Sequence, residues 1–239
     1  MKEARYFYAP DALVSSELPT DEATHAIRVL RMQEGDEIFL IDGKGMFHQA
    51  NITLVTNKKC MYKIIKSIPH PRTWSCDIHL AIAPTKMMDR MEWMAEKITE
   101  IGFDKLTFLN CDFSERTKLR VDRIEKIVVS AIKQSRKAYV PEVHELQDVK
   151  TFITTQRPGR KYICHCYEEF PKKDLLASLQ LHEDGIPATI MVGPEGDFSI
   201  EEVRLALANG YESVSLGESR LRTETAGLMA VTMANLSFR

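Results

Sequence analysis

Cysteine is scarce in this chain and not patterned for pairing: five residues, at 60, 76, 111, 164 and 166, with no C-x-x-C spacing. An odd number without that spacing argues against a disulfide framework. Cys164-His165-Cys166 has a metal-like look, but on a strand the histidine faces opposite to both cysteines. No other Cys/His cluster accompanies it, so buried strand residues are expected there and no metal. No apolar run approaches a membrane span, and Met1 to Pro10 is polar and aromatic instead of basic and then apolar. A cytoplasmic protein without membrane association is the expectation. G-x-G-x-x-G and G-x-x-x-x-G-K-[ST] are both missing, which removes the two best-known nucleotide fingerprints. Internal repeats and low-complexity segments are absent too. The net charge of −2 carries no global signal for nucleic acid.

The 239 residues, 44% hydrophobic and 28% charged, suffice for one large core or two smaller ones in a soluble protein. Charge is unevenly spread. From Arg116 to Lys137 there are eight Lys or Arg (116, 118, 120, 123, 126, 133, 136, 137) against Asp122 and Glu125. This basic stripe is either a solvated helix face or a binding surface.

The stretch Thr189 to Gly227 organises the rest. Thr189 to Val192 reads as a short strand that stops at Gly193-Pro194-Glu195-Gly196. Ser199 and Glu202 form a capping box for a helix that stops at Asn209-Gly210. A second strand, Ser213 to Leu216, ends at Gly217, and Arg222-Thr223-Glu224-Thr225-Ala226 opens the last helix. Loops at the carboxyl ends of strands in an open α/β sheet are where ligands sit. Pro194 removes a backbone donor while Glu195 and Asp197 add negative charge, so a triphosphate is disfavoured. A ligand without phosphate, carrying positive charge, fits better. Gly-Pro-Glu-Gly alone could be a solvated turn; the second glycine turn and the Arg-Thr-Glu-Thr segment favour a site.

The first 68 or so residues read as a small β module: Asp36 to Ile41, a turn at Asp42-Gly43-Lys44-Gly45, then Phe47 to Val55 and Cys60 to Ile68. Thr20-Asp21-Glu22 is expected to cap a short helix through Arg31 that presents His25, Arg28 and Arg31, a basic cluster with Arg5. Pro69-His70-Pro71 is the best linker signal. Beyond it strands and helices alternate: Cys76 to Ala83; Lys86 to Ile101 with Met87, Met91, Met94, Ile98 and Ile101 on one stripe; Lys105 to Leu109; Val121 to Ile132; Lys161 to Cys166; and Lys172 to Leu181. This order predicts a mostly parallel sheet covered on both faces.

These residues carry a resemblance. Val192-Gly193-Pro194-Glu195-Gly196, then Leu216-Gly217 and Leu221-Arg222-Thr223-Glu224-Thr225-Ala226, resemble the C-terminal signature of the ribosomal small subunit methyltransferase E family, SPOUT-class enzymes that methylate uracil N3 in 16S ribosomal RNA. Arg5-Tyr6-Phe7, His25 with Arg28-Val29-Leu30-Arg31, Lys86, Glu100-Ile101-Gly102, Ser114-Glu115-Arg116-Thr117 and Gln134 before Val140-Pro141 extend the likeness over the whole length. The resemblance implies a PUA-like β-barrel over residues 1–70 that binds RNA, and a SPOUT-type α/β methyltransferase domain over 71–239 with a C-terminal trefoil knot. It also implies a homodimer, S-adenosyl-L-methionine as cofactor, and 16S ribosomal RNA or the small ribosomal subunit as partner. Carried over, Val192, Gly193, Pro194, Glu195, Gly196, Leu216, Gly217, Leu221, Arg222 and Thr223 would line the cofactor site, with Tyr167 a further candidate. The chain departs from the family pattern at Asp197, where glycine is usual, at Ser219-Arg220, where an arginine precedes an aliphatic residue, and at Lys133, where glutamate is usual.

Uracil N3 holds a proton at neutral pH, so methylation needs that proton removed or the developing anion stabilised. Arg222 is the candidate for stabilising the anion, and Glu224 or Glu195 for taking the proton or orienting Arg222; the other reading makes Arg222 and Glu224 a buried ion pair that fixes the last helix. Arg5, Arg28, Arg31 and Arg116 are candidates for RNA phosphates and Arg220 for a substrate contact. Two rival classes remain: a nicotinamide-dependent oxidoreductase, which would want a Rossmann fingerprint, and a noncatalytic RNA-binding or ribosome-assembly factor.

Overall fold

In the computed structural model, which describes residues 4–181 and 185–239, the chain divides into two compact units. The first is Met1–Arg72 with Val129–Val140, and the second Thr73–Val128 with Pro141–Arg239.

The first unit is built on a four-stranded sheet: β1 (Tyr6–Tyr8), β2 (Glu37–Ile41), β3 (Met46–Val55) and β4 (Cys60–Pro69), in that order. β1 runs parallel to β2, and β2, β3 and β4 form an antiparallel meander. Alternation puts Phe7, Ile38, Leu40, Ala50, Ile52 and Tyr62 on one face, where they pack with Ala23 and Ala26. Those alanines lie on a short helical segment, α1 (Thr20–Thr24), that continues as one π turn, His25–Val29. The expected cap is absent. Pro19 is the N-cap residue and makes no side-chain hydrogen bond, and the helix stops short of Arg31, which has φ 52°. The widened turn is marked by Leu30 N–H donating to the His25 carbonyl. Residues 129–140 belong to this unit because Ile132 and Ala138 pack with Ile41 and Phe47.

The second unit is a seven-stranded sheet, parallel throughout, in the order β7-β6-β5-β10-β8-β11-β9. Its strands are β5 (Ile78–Ile82), β6 (Lys105–Asn110), β7 (Glu142–Asp148), β8 (Arg160–Cys164), β9 (Lys173–Asp174), β10 (Ala188–Val192) and β11 (Glu212–Ser215). The helices are α2 (Met88–Ile101), α3 (Val121–Ser135), α4 (Val149–Thr154), α5 (Leu175–Gln180), α6 (Ile200–Ala208) and α7 (Thr223–Ser237). β10 is buried along its length, as a central parallel strand must be. Phe152 and Ile153 of α4 and Val203 and Ala206 of α6 pack on Ala81, Leu109, Ile163 and Met191 on one face. On the other, α7 packs against α2 and β5, and close approach is possible because residue 227 is glycine: a Cβ there would lie 2.7 Å from Met94 Sδ and 2.8 Å from Ile82 Cδ1.

The methionine stripe of α2 needs one correction. Met91 and Met94 are fully buried with Ile98, whereas Met87 is the N-cap residue and 51% exposed, because the helix begins two residues later than expected. Cys166 is likewise not a strand residue: β8 ends at Cys164, and Cys166 is exposed.

Candidate active site

β8 lies between β10 and β11, so the two glycine turns that close β10 and β11 flank the end of β8. Residues 192–197, 164–166, 214–217 and 219–224 line one cleft of about 610 Å³ at the carboxyl ends of these strands. That volume suits a nucleoside-sized ligand, and the sheet position is the one at which open α/β folds bind ligands.

The first turn is tightly held. Asp197 N–H donates to the Pro194 carbonyl at 2.9 Å. Asp197 itself has φ 68°, a conformation in which glycine is ordinarily comfortable. Its carboxylate compensates by accepting from Phe198 N–H at 2.8 Å and from Cys166 N–H at 2.7 Å. Gly193 has no room for a side chain, since a Cβ would approach Phe198 N to 3.0 Å. Glu195 Oε1 accepts from Lys86 N–H at 3.1 Å, so this carboxylate is already engaged.

The second turn is built by a hydroxyl. Ser215 Oγ donates to the Gly217 carbonyl at 2.9 Å and accepts from Gly217 N–H at 3.1 Å. That local bonding ends β11 at Ser215, one residue before the expected Leu216. Gly217 has φ 116° and nothing within 4 Å of where a Cβ would stand.

At the end of β8 the surroundings favour the protonated thiol over the thiolate. Burial pushes Cys164 up to about 12, and burial together with Asp197 raises Cys166. His165 shares a hydrogen bond with Ser213 Oγ at 2.7 Å, and its value is lowered by burial and then by Lys172. Among the described residues there is no cluster of three or more His, Cys, Asp or Glu able to hold a metal.

Beside the cleft is a second pocket of about 620 Å³, lined by Asp89, Arg90, Trp93 and Thr225 together with Arg220, Leu221, Arg222 and Glu224. Arg90, Arg220, Leu221, Arg222 and Glu224 line both cavities. Glu224 is 6% exposed; its Oε1 lies 3.7 Å from an Arg90 guanidinium nitrogen, and its Oε2, also buried, has no partner among the described residues. A buried carboxylate oxygen left open costs stability, and such strain clusters where a ligand will satisfy it. Arg222, the N-cap residue of α7, is exposed and makes no side-chain hydrogen bond or ion pair among the described residues. The alternative reading, a buried Arg222–Glu224 ion pair, does not hold: Glu224 faces Arg90 instead.

Residues 72–235 match the RNA methyltransferase domain family, and residues 18–65 the RNA methyltransferase PUA domain. The chain belongs to the RNA methyltransferase family. A probable rRNA-methyltransferase from Porphyromonas gingivalis is 42% identical and superposes with a TM-score of 0.90, covering 98% of both chains. The ribosomal RNA small subunit methyltransferase E of Neisseria gonorrhoeae, solved bound to S-adenosyl methionine, is 27% identical with a TM-score of 0.84 over 96% of this chain and 95% of that one. The protein of the same name from Bacillus subtilis is 26% identical over 95% of this chain and 94% of its own.

In this RNA methyltransferase the cleft brings together Val192, Gly193, Pro194, Glu195, Gly196, Leu216, Gly217, Leu221, Arg222 and Thr223, along with Glu224 and Arg220. Tyr167 stands outside its lining: the hydroxyl donates to the Phe198 carbonyl at 2.7 Å and the ring, partly buried, packs against the margin of the core beside Phe170. Arg116 is also drawn inward, its guanidinium donating to the carbonyls of Thr85 (3.2 Å) and Lys86 (2.5 Å). Arg5, Arg28 and Arg31 are exposed on the first unit. The basic stripe is largely paired: Arg120 with Asp122, Arg123 with Glu92, Lys133 with Glu22, and Arg136 over the Tyr6 ring. Sequence reasoning missed Arg90, which flanks the methionine stripe of α2 and has no local signal pointing across to α7.

Proposed function

We propose that this protein transfers a methyl group from S-adenosyl-L-methionine to N3 of one uridine in 16S ribosomal RNA, free or in the small ribosomal subunit, and acts as a homodimer. The observation that carries the reading is the buried Glu224 carboxylate, with one open oxygen, on the wall shared by the cleft and the second pocket.

The cleft residues fit the cofactor. No lysine lines it, Pro194 offers no N–H, and Glu195 and Asp197 bring negative charge to the first turn, while Arg90, Arg220 and Arg222 line the cleft from α2 and the segment entering α7; the turn itself suits a cation without phosphate. The two glycine turns, with Leu221 and Thr223, would hold it. When bound, the cofactor supplies an electrophilic methyl on a sulfonium with a neutral thioether as leaving group.

The protein's own part is to handle the uracil proton. A carboxylate is a weak base toward uracil N3–H, so proton removal must be coupled to stabilisation of the anion. Arg222, exposed and unpaired among the described residues, stabilises charge on the uracil carbonyl from the shared wall, and the unpartnered oxygen of Glu224, buried in that wall, accepts the N3 proton once the uracil has moved in against it, while Arg90 orients the carboxylate from its other side. Arg220 contacts substrate from the same wall.

Residues 1–70 would serve as the RNA-binding module, with Arg5, Arg28 and Arg31 toward phosphates, and 71–239 as the methyltransferase module. The placing of β10 between β5 and β8, out of chain order, supports a knotted C-terminal segment. The α7 stretch Thr225 to Ser237 has no charged residue and exposes Met229 and Leu236, which supports a second copy as its cover.

Nucleoside mass spectrometry of small-subunit ribosomal RNA from cells with and without the protein tests this. Loss of 3-methyluridine is expected; an unchanged profile overturns the proposal. Calorimetry with S-adenosylmethionine and NAD separates the rivals, since a noncatalytic RNA-binding factor takes neither.

A further inference from the structure

We infer that the outer face of the four-stranded sheet is a stacking platform for unpaired nucleotides of the RNA. The inference rests on the reading that RNA is the substrate. The inward face carries Ile38, Leu40, Ala50 and Ile52, all buried. The outward face has a different composition. Tyr6, Phe39, Gln49 and Lys66 stand in register across all four strands, and Glu37, Asn51 and Lys63 form the next rank. The Tyr6 and Phe39 rings are stacked, with centroids 5.2 Å apart and planes 25° from parallel. The Arg136 guanidinium lies 5.4 Å from the Tyr6 centroid. Both rings are partly open to solvent, and Lys63, Lys66 and Asn51 are exposed. The platform is bounded where Ile41 and Phe47 are covered by Ile132 and Ala138; Tyr6 packs against the edge of that cluster, its centroid 5.5 Å from that of Phe47, and Phe39 is the ring that lies clear of it.

Partly exposed, stacked rings flanked by lysines match a partner that is both flat and anionic. Single-stranded RNA has both properties: any base offers a π face to a ring, its edge can bond an amide, and its phosphate pairs with an ammonium. Gln49 and Asn51 supply the amides, and Lys63, Lys66 and Arg136 supply the charge. The one carboxylate on this face, Glu37, is held by Gln49 Nε2 at 2.6 Å. Duplex RNA hides its base faces, so the platform favours unpaired segments. It is also made of residues other than Arg28 and Arg31 of the helical segment.

The test is fluorescence anisotropy of the full-length protein with a labelled single-stranded RNA of about 12 nucleotides and with the same sequence as a duplex. Phe39→Leu should weaken single-strand binding roughly tenfold and leave duplex binding unchanged, and Phe39→Tyr should retain wild-type affinity. Lys66→Gln should lower the slope of log affinity against log salt by about 0.7. Wild-type single-strand affinity in Phe39→Leu, or an equal loss on duplex, overturns the platform. Calorimetry with S-adenosylmethionine on the same variant should be unchanged. A wild-type protein that takes no cofactor would overturn the methyltransferase reading and leave the anisotropy result standing.

Discussion

Asp197 accepts a hydrogen bond from the backbone N–H of Cys166 at 2.7 Å, and this contact fastens the turn that closes β10 to the loop that leaves its neighbour β8. The cleft therefore depends on a residue whose own backbone, at φ 68°, is strained. Asp197→Ala keeps the strain and removes both acceptor bonds, whereas Asp197→Gly removes the strain along with them. Loss of two charge-assisted bonds should cost Asp197→Ala about 1.5–3 kcal/mol in urea unfolding, with Asp197→Gly less affected by about 1 kcal/mol. Equal stability of the two variants would show that the turn conformation carries no penalty.

Arg222 and Glu224 make separable predictions because only one of them is buried. Arg222→Ala leaves no orphaned partner, so folding and cofactor binding should be near wild type while kcat falls about 10²–10³-fold. Glu224→Gln keeps the shape and one acceptor but cannot take a proton, and its kcat should fall comparably with KM for the cofactor little changed. Single-turnover methyl transfer measured alongside calorimetry decides. Near wild-type turnover in either variant removes that residue from the chemistry.

Which features were legible in the amino-acid order follows from how local their causes are. The capping box of α6 is a four-residue device, and both of its bonds form: Glu202 N–H to Ser199 Oγ, and Ser199 N–H to Glu202 Oε2. The stop of α2 at Gly102, with φ 115°, is equally local. β7 escaped because it is an edge strand of mostly polar, solvent-facing residues whose two aliphatic side chains, Val143 and Leu146, stand three apart and do not alternate. α4 was signalled by Asp148, whose carboxylate accepts from Thr151 N–H, but six residues are too few to show a helical period. The return of residues 129–140 to the first unit and the Arg90–Glu224 contact join positions far apart in the chain. No window of sequence contains their causes. The basic stripe left two readings open for the same reason: two of the acids that pair with it, Glu92 and Glu22, lie elsewhere in the chain.

Gly227 tests how closely α7 must approach the sheet. An added Cβ would meet Met94 Sδ at 2.7 Å and Ile82 Cδ1 at 2.8 Å, inside van der Waals contact for both. Gly227→Ala should gain a little from helix propensity and lose more from overpacking, a net cost of about 1–3 kcal/mol. Trimming Met94 to Ala in the same chain should cost less than in wild type, because the new methyl occupies part of the vacated space. Additive costs in a double-mutant cycle would mean that helix and sheet separate freely.

His79 gives the pH dependence. Its ring bonds Thr107 Oγ1 at 2.8 Å and meets Phe152 edge-on. Burial, followed by the charges of Arg157, His144 and Lys105, lowers its value from 6.5 to about 3. The unfolded chain therefore binds this proton more readily than the folded one. The histidine's contribution to stability is full above about pH 6.5 and is lost as pH falls toward 3. The ring is only partly shielded from water, which limits the effect to about 1–3 kcal/mol between pH 7 and 4.5. His79→Gln keeps a partner for Thr107 and does not titrate. Carboxylates act alike in both proteins, so the difference between their urea stabilities isolates the histidine. That difference should shift in favour of His79→Gln as pH drops, and a gap that stays constant with pH would show that His79 is freely protonated in the fold.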